Sequence, residues 1–263
     1  MKAFPMPTVL MYSFWLNTTD FNDKKSIFPP AAYLHAQFPK MSKEGFQGYL
    51  WLYPNAIRGT LLLPNKFANA SNARAVLDPI LDKMSTYPGI NPKSLLRILP
   101  LAWGSSPIDW NTATQLLGGI TGSLEDFMST ASTLLPGAAN GTAPKAAPKP
   151  PKRRMKRHGP GEKVQMPMGI AGMDSQLLGP EELVHPKMAA ALEGAMPFNH
   201  PDGQLRIHLL GGGKVNEQRN DTSVHPSWRK ALVHTIATGG QKVNVDSLRA
   251  IAPNMGCYHN EVC

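Results

Sequence analysis

Four polar side chains stand together near the end of the chain, a phenol, an imidazole, an amide and a carboxylate, at residues 258–261. They close a loop that we predict to be ordered from Pro253 to Glu261. The carboxylate of Glu261 can serve as a general base if burial raises its pKa. It can equally cap a backbone segment or form a local ion pair, and the residues alone leave both interpretations open.

A second set of polar side chains lies on the strand that precedes this loop. Leu205, Ile207 and Leu209 alternate with Arg206 and His208, a pattern typical of a strand with one buried and one polar face. His208 is therefore predicted to lie on the polar face. It is either a hydrogen-bonded structural histidine or part of the wall of a substrate pocket.

A further strand is predicted from Trp228 to Thr238, because this run is rich in Leu, Val, Ile and Thr and ends at two glycines. His225 and His234 stand nine residues apart on this segment. That spacing does not match a metal-binding motif.

The earlier part of the chain alternates strand patterns with helix patterns. We predict strands over Val9–Leu16, Gly45–Tyr53, Ile57–Leu63 and Leu95–Ala102, and helices over Pro29–Met41, Ala70–Tyr87 (kinked or restarted at Pro79), Trp110–Leu117 and Pro180–Gly194 (kinked at Pro186). This alternation predicts an α+β fold in which helices pack on one face of an antiparallel sheet.

Tyr49, Trp51 and Tyr53 share one face of a predicted strand. They either pack against neighbouring strands or form a wall for an aromatic or polycyclic substrate.

The basic charge is concentrated in one segment. The formal net charge is +9, but residues 145–163 hold eight basic residues and one acidic residue. We therefore predict residues 1–135 and 173–263 as two parts of a nearly neutral domain, joined by a disordered Pro, Ala, Lys and Arg-rich linker at 136–172. The overall charge does not indicate nucleic acid as a partner. The run Lys152–Arg157 is interpreted as solvated linker, with a localisation signal or an anionic-partner site as alternatives.

Several functional classes lack their sequence signatures. No Ser-His-Asp order, phosphate loop or HExxH motif is present, and the two cysteines, Cys257 and Cys263, permit only a local bridge. No apolar run reaches the length of a membrane span, and the start does not resemble a signal peptide. Four Asn-x-Ser/Thr triplets are compatible with a secretory route, which leaves the localisation open.

Six segments, taken in chain order, resemble the berberine-bridge-enzyme-like family of FAD-linked oxidases, in particular its fungal members. They are Gly45–Tyr53, Pro64–Pro79, Asp174–Leu178 (with Gln176 where the family usually has Arg), Gly211–Val215, Pro226–Arg229 and Pro253–Glu261. The resemblance covers nearly the whole chain outside the basic linker.

The resemblance implies hydride transfer from a small organic substrate to the N5 atom of FAD, followed by reoxidation of the flavin by O2. It implies that this chain is the substrate-side domain and that a flavin domain should precede it, since neither a pyrophosphate loop nor a flavin-tethering residue is found. Tyr258 and Asn260 would then lie beside the flavin, with Tyr258 and Glu261 as candidate catalytic residues. Glu261 occupies the position where several members place a catalytic tyrosine.

Two further expectations follow from the resemblance. Tyr49, Trp51 and His208 are candidates for substrate binding, and the chain by itself should be inactive, because it is expected to be truncated at both ends. The alternative is a non-catalytic, degenerate paralogue that acts as a binding module through its sheet and its basic linker.

Overall fold

The computed structural model describes residues 10–63, 70–98, 172–217, 225–240 and 243–258. The predicted helix Trp110–Leu117 lies outside these ranges. So does the predicted linker 136–172, except for Gly172, which is the first residue of a strand.

Seven described strands form one antiparallel sheet, as the sequence predicted. Their order across the sheet is β4-β1-β3-β2-β6-β7-β5, and every neighbouring pair is antiparallel. The strands are β1 (Leu10–Asn17), β2 (Gln47–Tyr53), β3 (Ala56–Leu63), β4 (Leu96–Ile98), β5 (Gly172–Leu178), β6 (Gln204–Leu209) and β7 (Val233–Gly240).

Five described helices share one apolar core with the sheet: α1 (Phe28–Lys43), α2 (Ala70–Ser85), α3 (Pro180–Leu183), α4 (Met188–Ala195) and α5 (Asp246–Ile251). Successive side chains of a strand point to opposite faces, so every second residue can join this core. In β1 these residues are Leu10, Tyr12, Phe14 and Leu16, which pack with helix residues such as Phe38. The predicted arrangement of helices on one face of the sheet is confirmed.

Two helix predictions differ from the structure in how they treat proline. The predicted helix Pro180–Gly194 is two helices in the structure, α3 and α4, with Pro186 between them. A proline disfavours helical backbone angles at the residue that precedes it, so the first helix ends before Pro186. Pro79, in contrast, lies within α2, which continues from Ala70 to Ser85 without a restart.

The predicted strand Trp228–Thr238 is wrong in its first part. Residues Pro226–Arg229 form a 3₁₀ turn, and β7 begins only at Val233. The backbone N–H of Ser227 donates to Nδ1 of His225, 3.3 Å away, and Pro226 fixes the first position of the turn. A local cap and a proline therefore outweigh the strand-like composition of the segment.

Within the described ranges, no helix combines the length and apolarity that a membrane crossing requires. Cys257 is disulfide-bonded.

Candidate functional site

The described helices pack on one face of the sheet, and the opposite face, on which none of them packs, is here called the open face. Its side chains are the alternate residues of the strands, and none of those described is Asp or Glu. From six of the strands it includes Ser13 and Trp15, Tyr49, Trp51 and Tyr53, Arg58 and Thr60, Ser175, Arg206 and His208, and His234 and Ile236.

Strand register places these side chains in rows that run across the sheet. In one row Arg58 of β3 lies between Trp15 of β1 and Trp51 of β2, and Arg206 of β6 lies on the other side of Trp51. We call these four residues the Trp–Arg row. Side chains in register on neighbouring strands are close enough to interact, so rings and guanidinium groups alternate along this row.

Arg58 is held by aromatic rings. Its guanidinium carbon lies 5.6 Å from the ring centre of Trp15, 5.0 Å from that of Trp51 and 5.3 Å from that of Tyr53. The side chain is buried, and this burial lowers the pKa of Arg58 and raises that of Tyr53. Cation–π attraction to three rings offsets part of the cost of burying the charge.

The neighbouring row carries the two histidines of the open face. Tyr49 is in register with His208, and His208 is in register with His234. The ring centres of Tyr49 and His208 are 4.8 Å apart, and those of the two histidines are 5.9 Å apart.

Two more rings, from outside the strands, complete this group. Trp228 and Tyr258 lie with their ring centres 5.5 Å and 5.9 Å from that of His234 and 6.0 Å from each other. We call Tyr49, His208, His234, Trp228 and Tyr258 the ring cluster. All five ring contacts of this cluster have an edge of one ring against the face of another, a favourable geometry for aromatic pairs.

Both histidines of the ring cluster are neutral at neutral pH. Burial, together with the smaller effect of the charge of Arg206, lowers the pKa of His208 to about 4. Burial also lowers the pKa of His234 to about 4, with a smaller contribution from His208. A neutral imidazole nitrogen can accept a proton or a hydrogen bond from a bound molecule.

The C-terminal segment is attached to β5, the edge strand. The N–H of Leu177 donates to the carbonyl of Gly256 at 2.8 Å, and the side-chain amide of Gln176 donates to the carbonyl of Ala252 at 3.2 Å. The N–H of Tyr258 lies 3.3 Å from Oγ of Ser175. These bonds bring the ring of Tyr258 to the open face.

The structure brings most of the site residues predicted from the sequence together on the open face. Tyr49, His208 and Tyr258 all belong to the ring cluster, and Trp51 lies in the adjacent Trp–Arg row. Asn260 and Glu261 lie outside the described residues.

The sequence reasoning did not select four residues that the structure places at the open face: Arg58, Arg206, His234 and Trp228. Arg206 and His234 carried a signal, since Arg206 shares the polar side of its strand with His208, and His234 lies at a strand-like position. Trp228 belongs to the family-like segment Pro226–Arg229, but its place at the site depends on a 3₁₀ turn. Arg58 carried no signal, because cross-strand register brings it to the site. Among the described residues, no group of three or more His, Cys, Asp or Glu could hold a metal ion.

The described residues fit one part of FAD and not the other. The ring cluster offers a wall of the kind that a flat conjugated ring system contacts. The glycine loop after β6 does not fit a pyrophosphate, because its amides are already engaged: Gly211 donates to the carbonyl of Leu232 at 3.0 Å, and Gly212 donates to Oδ1 of Asn216 at 2.9 Å. Gly211 is needed there for close packing, since a Cβ would lie 2.0 Å from the carbonyl oxygen of Ala231.

No protein-family model matches the chain. A curated relative, an uncharacterized FAD-linked oxidoreductase of Arthroderma benhamiae, is 24% identical over 272 residues, which cover 93% of this chain and 38% of the relative.

Two solved structures of flavoproteins have a similar fold. The VAO-type flavoprotein MtVAO713 of Myceliophthora thermophila C1 superposes with a TM-score of 0.60 at 16% identity, covering 97% of this chain and 41% of that one. MtVAO615 of the same organism superposes with a TM-score of 0.51 at 13% identity, covering 93% and 35%.

The fold is therefore that of part of a VAO-type flavoprotein. The sequence match and the fold together confirm the resemblance to FAD-linked oxidoreductases, and the chain spans about two-fifths of the length of these proteins.

Proposed function

We propose that the open face of the sheet is the substrate side of the active site of an FAD-dependent oxidase. The observation that carries this proposal is the ring cluster, in which two neutral histidines lie between Tyr49 and Tyr258 on the face opposite the described helices. Aromatic rings can bind a flat substrate, and an uncharged imidazole can accept the proton that is released in a two-electron oxidation.

Bound FAD would supply the acceptor for the hydride that leaves the substrate, and O2 would serve to reoxidise it. The residues of this chain bind the organic substrate against Tyr49, Trp51 and His208 and exclude water from it. The proton that leaves the substrate passes to a base, for which we propose Glu261, with Tyr258 as its hydrogen-bonding partner. We place Asn260 and Tyr258 beside the flavin.

His208 offers a second acceptor for the same proton. Its low pKa keeps the ring unprotonated at neutral pH, and it contacts both Tyr49 and His234. A substitution at Glu261 tests which group accepts the proton.

We expect the chain by itself to have no oxidase activity. The chain covers only 38% of the curated relative, and the described residues hold no free cradle for a pyrophosphate. The rest of the cofactor site would then come from a segment outside these 263 residues.

The test is flavin retention. The chain is produced alone and as an extended protein joined to the reading frame upstream of it, and each is desalted before its flavin absorbance is recorded. We expect flavin only in the extended protein. An extended protein that is folded by circular dichroism and retains no flavin would overturn the proposal and leave the non-catalytic binding module as the better account.

The proposed base is tested in the same extended protein. Glu261→Gln should slow substrate-dependent flavin reduction by about 10² to 10⁴ while leaving flavin content unchanged, as expected for loss of a general base. Glu181→Gln, an exposed residue in α3, is the matched control and should have no effect. An unchanged rate for Glu261→Gln would transfer the role to His208.

A further inference from the structure

The open face carries an excess of positive charge. Its described residues include two guanidinium groups, Arg58 and Arg206, and no carboxylate. Arg58 is buried and contacts three aromatic rings, so much of its surface is already used. Arg206 is the arginine of this face that remains half-buried.

Arg206 has donors that the described protein does not satisfy. Its Nε atom is enclosed and makes no hydrogen bond to any described residue, and none of the described ion pairs involves it. An enclosed donor without an acceptor is unfavourable, and an arginine in such a position is adapted to a planar anion that accepts two parallel hydrogen bonds.

The surroundings of Arg206 define what kind of anion would fit. In register it lies between Trp51 of β2 and Ile236 of β7, and His208 follows it two residues later on the same face. Two residues along a strand span about 7 Å. Its charge is felt by His208, whose proton affinity it lowers. These positions form a four-sided patch that consists of Arg206, Trp51, Tyr49 and His208. Arg206 is its cationic corner and His208 its proton-accepting corner.

We propose that the substrate is an organic acid, whose carboxylate pairs with Arg206 while the carbon to be oxidised lies against His208 and Tyr49. The inference rests on the proposed function for its statement that the bound molecule is a substrate. The separation of the two corners is of the same order as that between a carboxylate and an oxidisable hydroxymethyl group on opposite positions of one benzene ring. Trp51 then lies alongside that ring.

The experiment compares two probes that differ in charge. Binding of 4-(hydroxymethyl)benzoate and of 4-(hydroxymethyl)benzamide to the flavin-free chain is measured by ligand-observed NMR titration at fixed salt. We expect the carboxylate to bind about tenfold more tightly, the gain typical of a charge-assisted hydrogen-bonded pair. If the wild-type chain bound the two probes with equal affinity, that result alone would overturn the proposal.

Variants then assign the preference to one residue. Arg206→Gln should reduce the ratio of the two dissociation constants to about one, and Arg206→Lys should leave a smaller preference, since an ammonium group cannot form the paired bonds. Arg74→Gln removes the same charge from an exposed position on α2 and should retain the tenfold ratio. A full ratio in a folded Arg206→Gln chain would contradict the proposal.

Because this assay contains no flavin, its result is separate from that of the flavin-retention test. If the extended protein holds no flavin but the chain prefers the carboxylate, the anion site stands and the oxidase proposal fails.

Discussion

The two faces of the sheet are built from the same strands and have opposite contents. Toward the helices the strands present a layer that includes Tyr12, Leu50 and Leu61, each at most 1% exposed. The hydroxyl of Tyr12 donates to Asp78 of α2, so this polar atom is paired within the layer. The open face instead presents the Trp–Arg row and the ring cluster, with charged and titratable groups next to one another.

This difference indicates a division between stability and function. The helix-covered face buries apolar surface, which is the dominant favourable contribution to folding. The open face keeps two arginines and two adjacent neutral histidines, and residues whose pKa values are shifted by burial cluster at functional sites. The alternation of a strand lets one segment serve both purposes.

Two adjacent leucines in β3 test this division most strongly. Leu61 faces the helices and is 1% exposed, whereas Leu62 lies on the open face and is only half-buried. Leu61→Ala should lower the free energy of unfolding by about 3 to 4 kcal/mol, because it leaves a cavity in a packed core, while Leu62→Ala should cost about 1 kcal/mol. Urea unfolding of both variants measures the two losses, and the slope of the unfolding free energy against urea concentration should be the same in both. Equal losses would show that both faces stabilise the fold alike.

The second test uses a histidine of the helix layer. His35 of α1 is fully buried, its Nδ1 donates to the carbonyl of Ala31 at 2.7 Å, and burial lowers its pKa to about 4. The unfolded chain, with a pKa near 6.5, binds a proton before the folded chain does. Stability is therefore complete above about pH 6.5 and falls as the pH decreases toward 4, by a total of about 3 kcal/mol.

Two variants separate the pH-dependent loss of stability caused by His35 from that caused by a histidine of the open face. His35→Met should reduce the loss between pH 6.5 and 4 by about 3 kcal/mol, as measured by urea unfolding at a series of pH values. His208→Gln should remove a smaller part, because the ring of His208 is partly exposed and its charged form is better solvated. A pH dependence that His35→Met leaves intact would contradict the assignment.

Periodicity predicted most of the sheet. The strand patterns at Gly45–Tyr53 and Ile57–Leu63 differ from β2 and β3 by two residues or fewer at each end, and the alternation in Leu205–Leu209 placed His208 on the correct face. Composition failed at Trp228, where a local cap and Pro226 produce a 3₁₀ turn. Local hydrogen bonds of this kind do not appear in a hydrophobic pattern.

The candidate site was only partly accessible from the sequence. Tyr49 and Trp51 could be placed on one face by their spacing, but nothing local shows that Arg58 lies between Trp15 and Trp51. These contacts join strands that are up to 43 residues apart in the chain. Cross-strand register, which depends on the pairing of the whole sheet, brings them together.

The smallest predicted effect compares the two arginines of the Trp–Arg row. Arg58→Gln should lower the free energy of unfolding by about 1 to 2 kcal/mol, because contacts to three rings are lost and an amide takes a buried position. Arg206→Gln should change it by no more than about 0.5 kcal/mol, since no hydrogen bond or ion pair to a described residue holds Arg206. Thermal unfolding of the two variants side by side measures the difference. A large loss from Arg206→Gln would mean that this arginine stabilises the sheet, whereas a negligible loss together with an altered carboxylate preference is expected of a residue kept for binding.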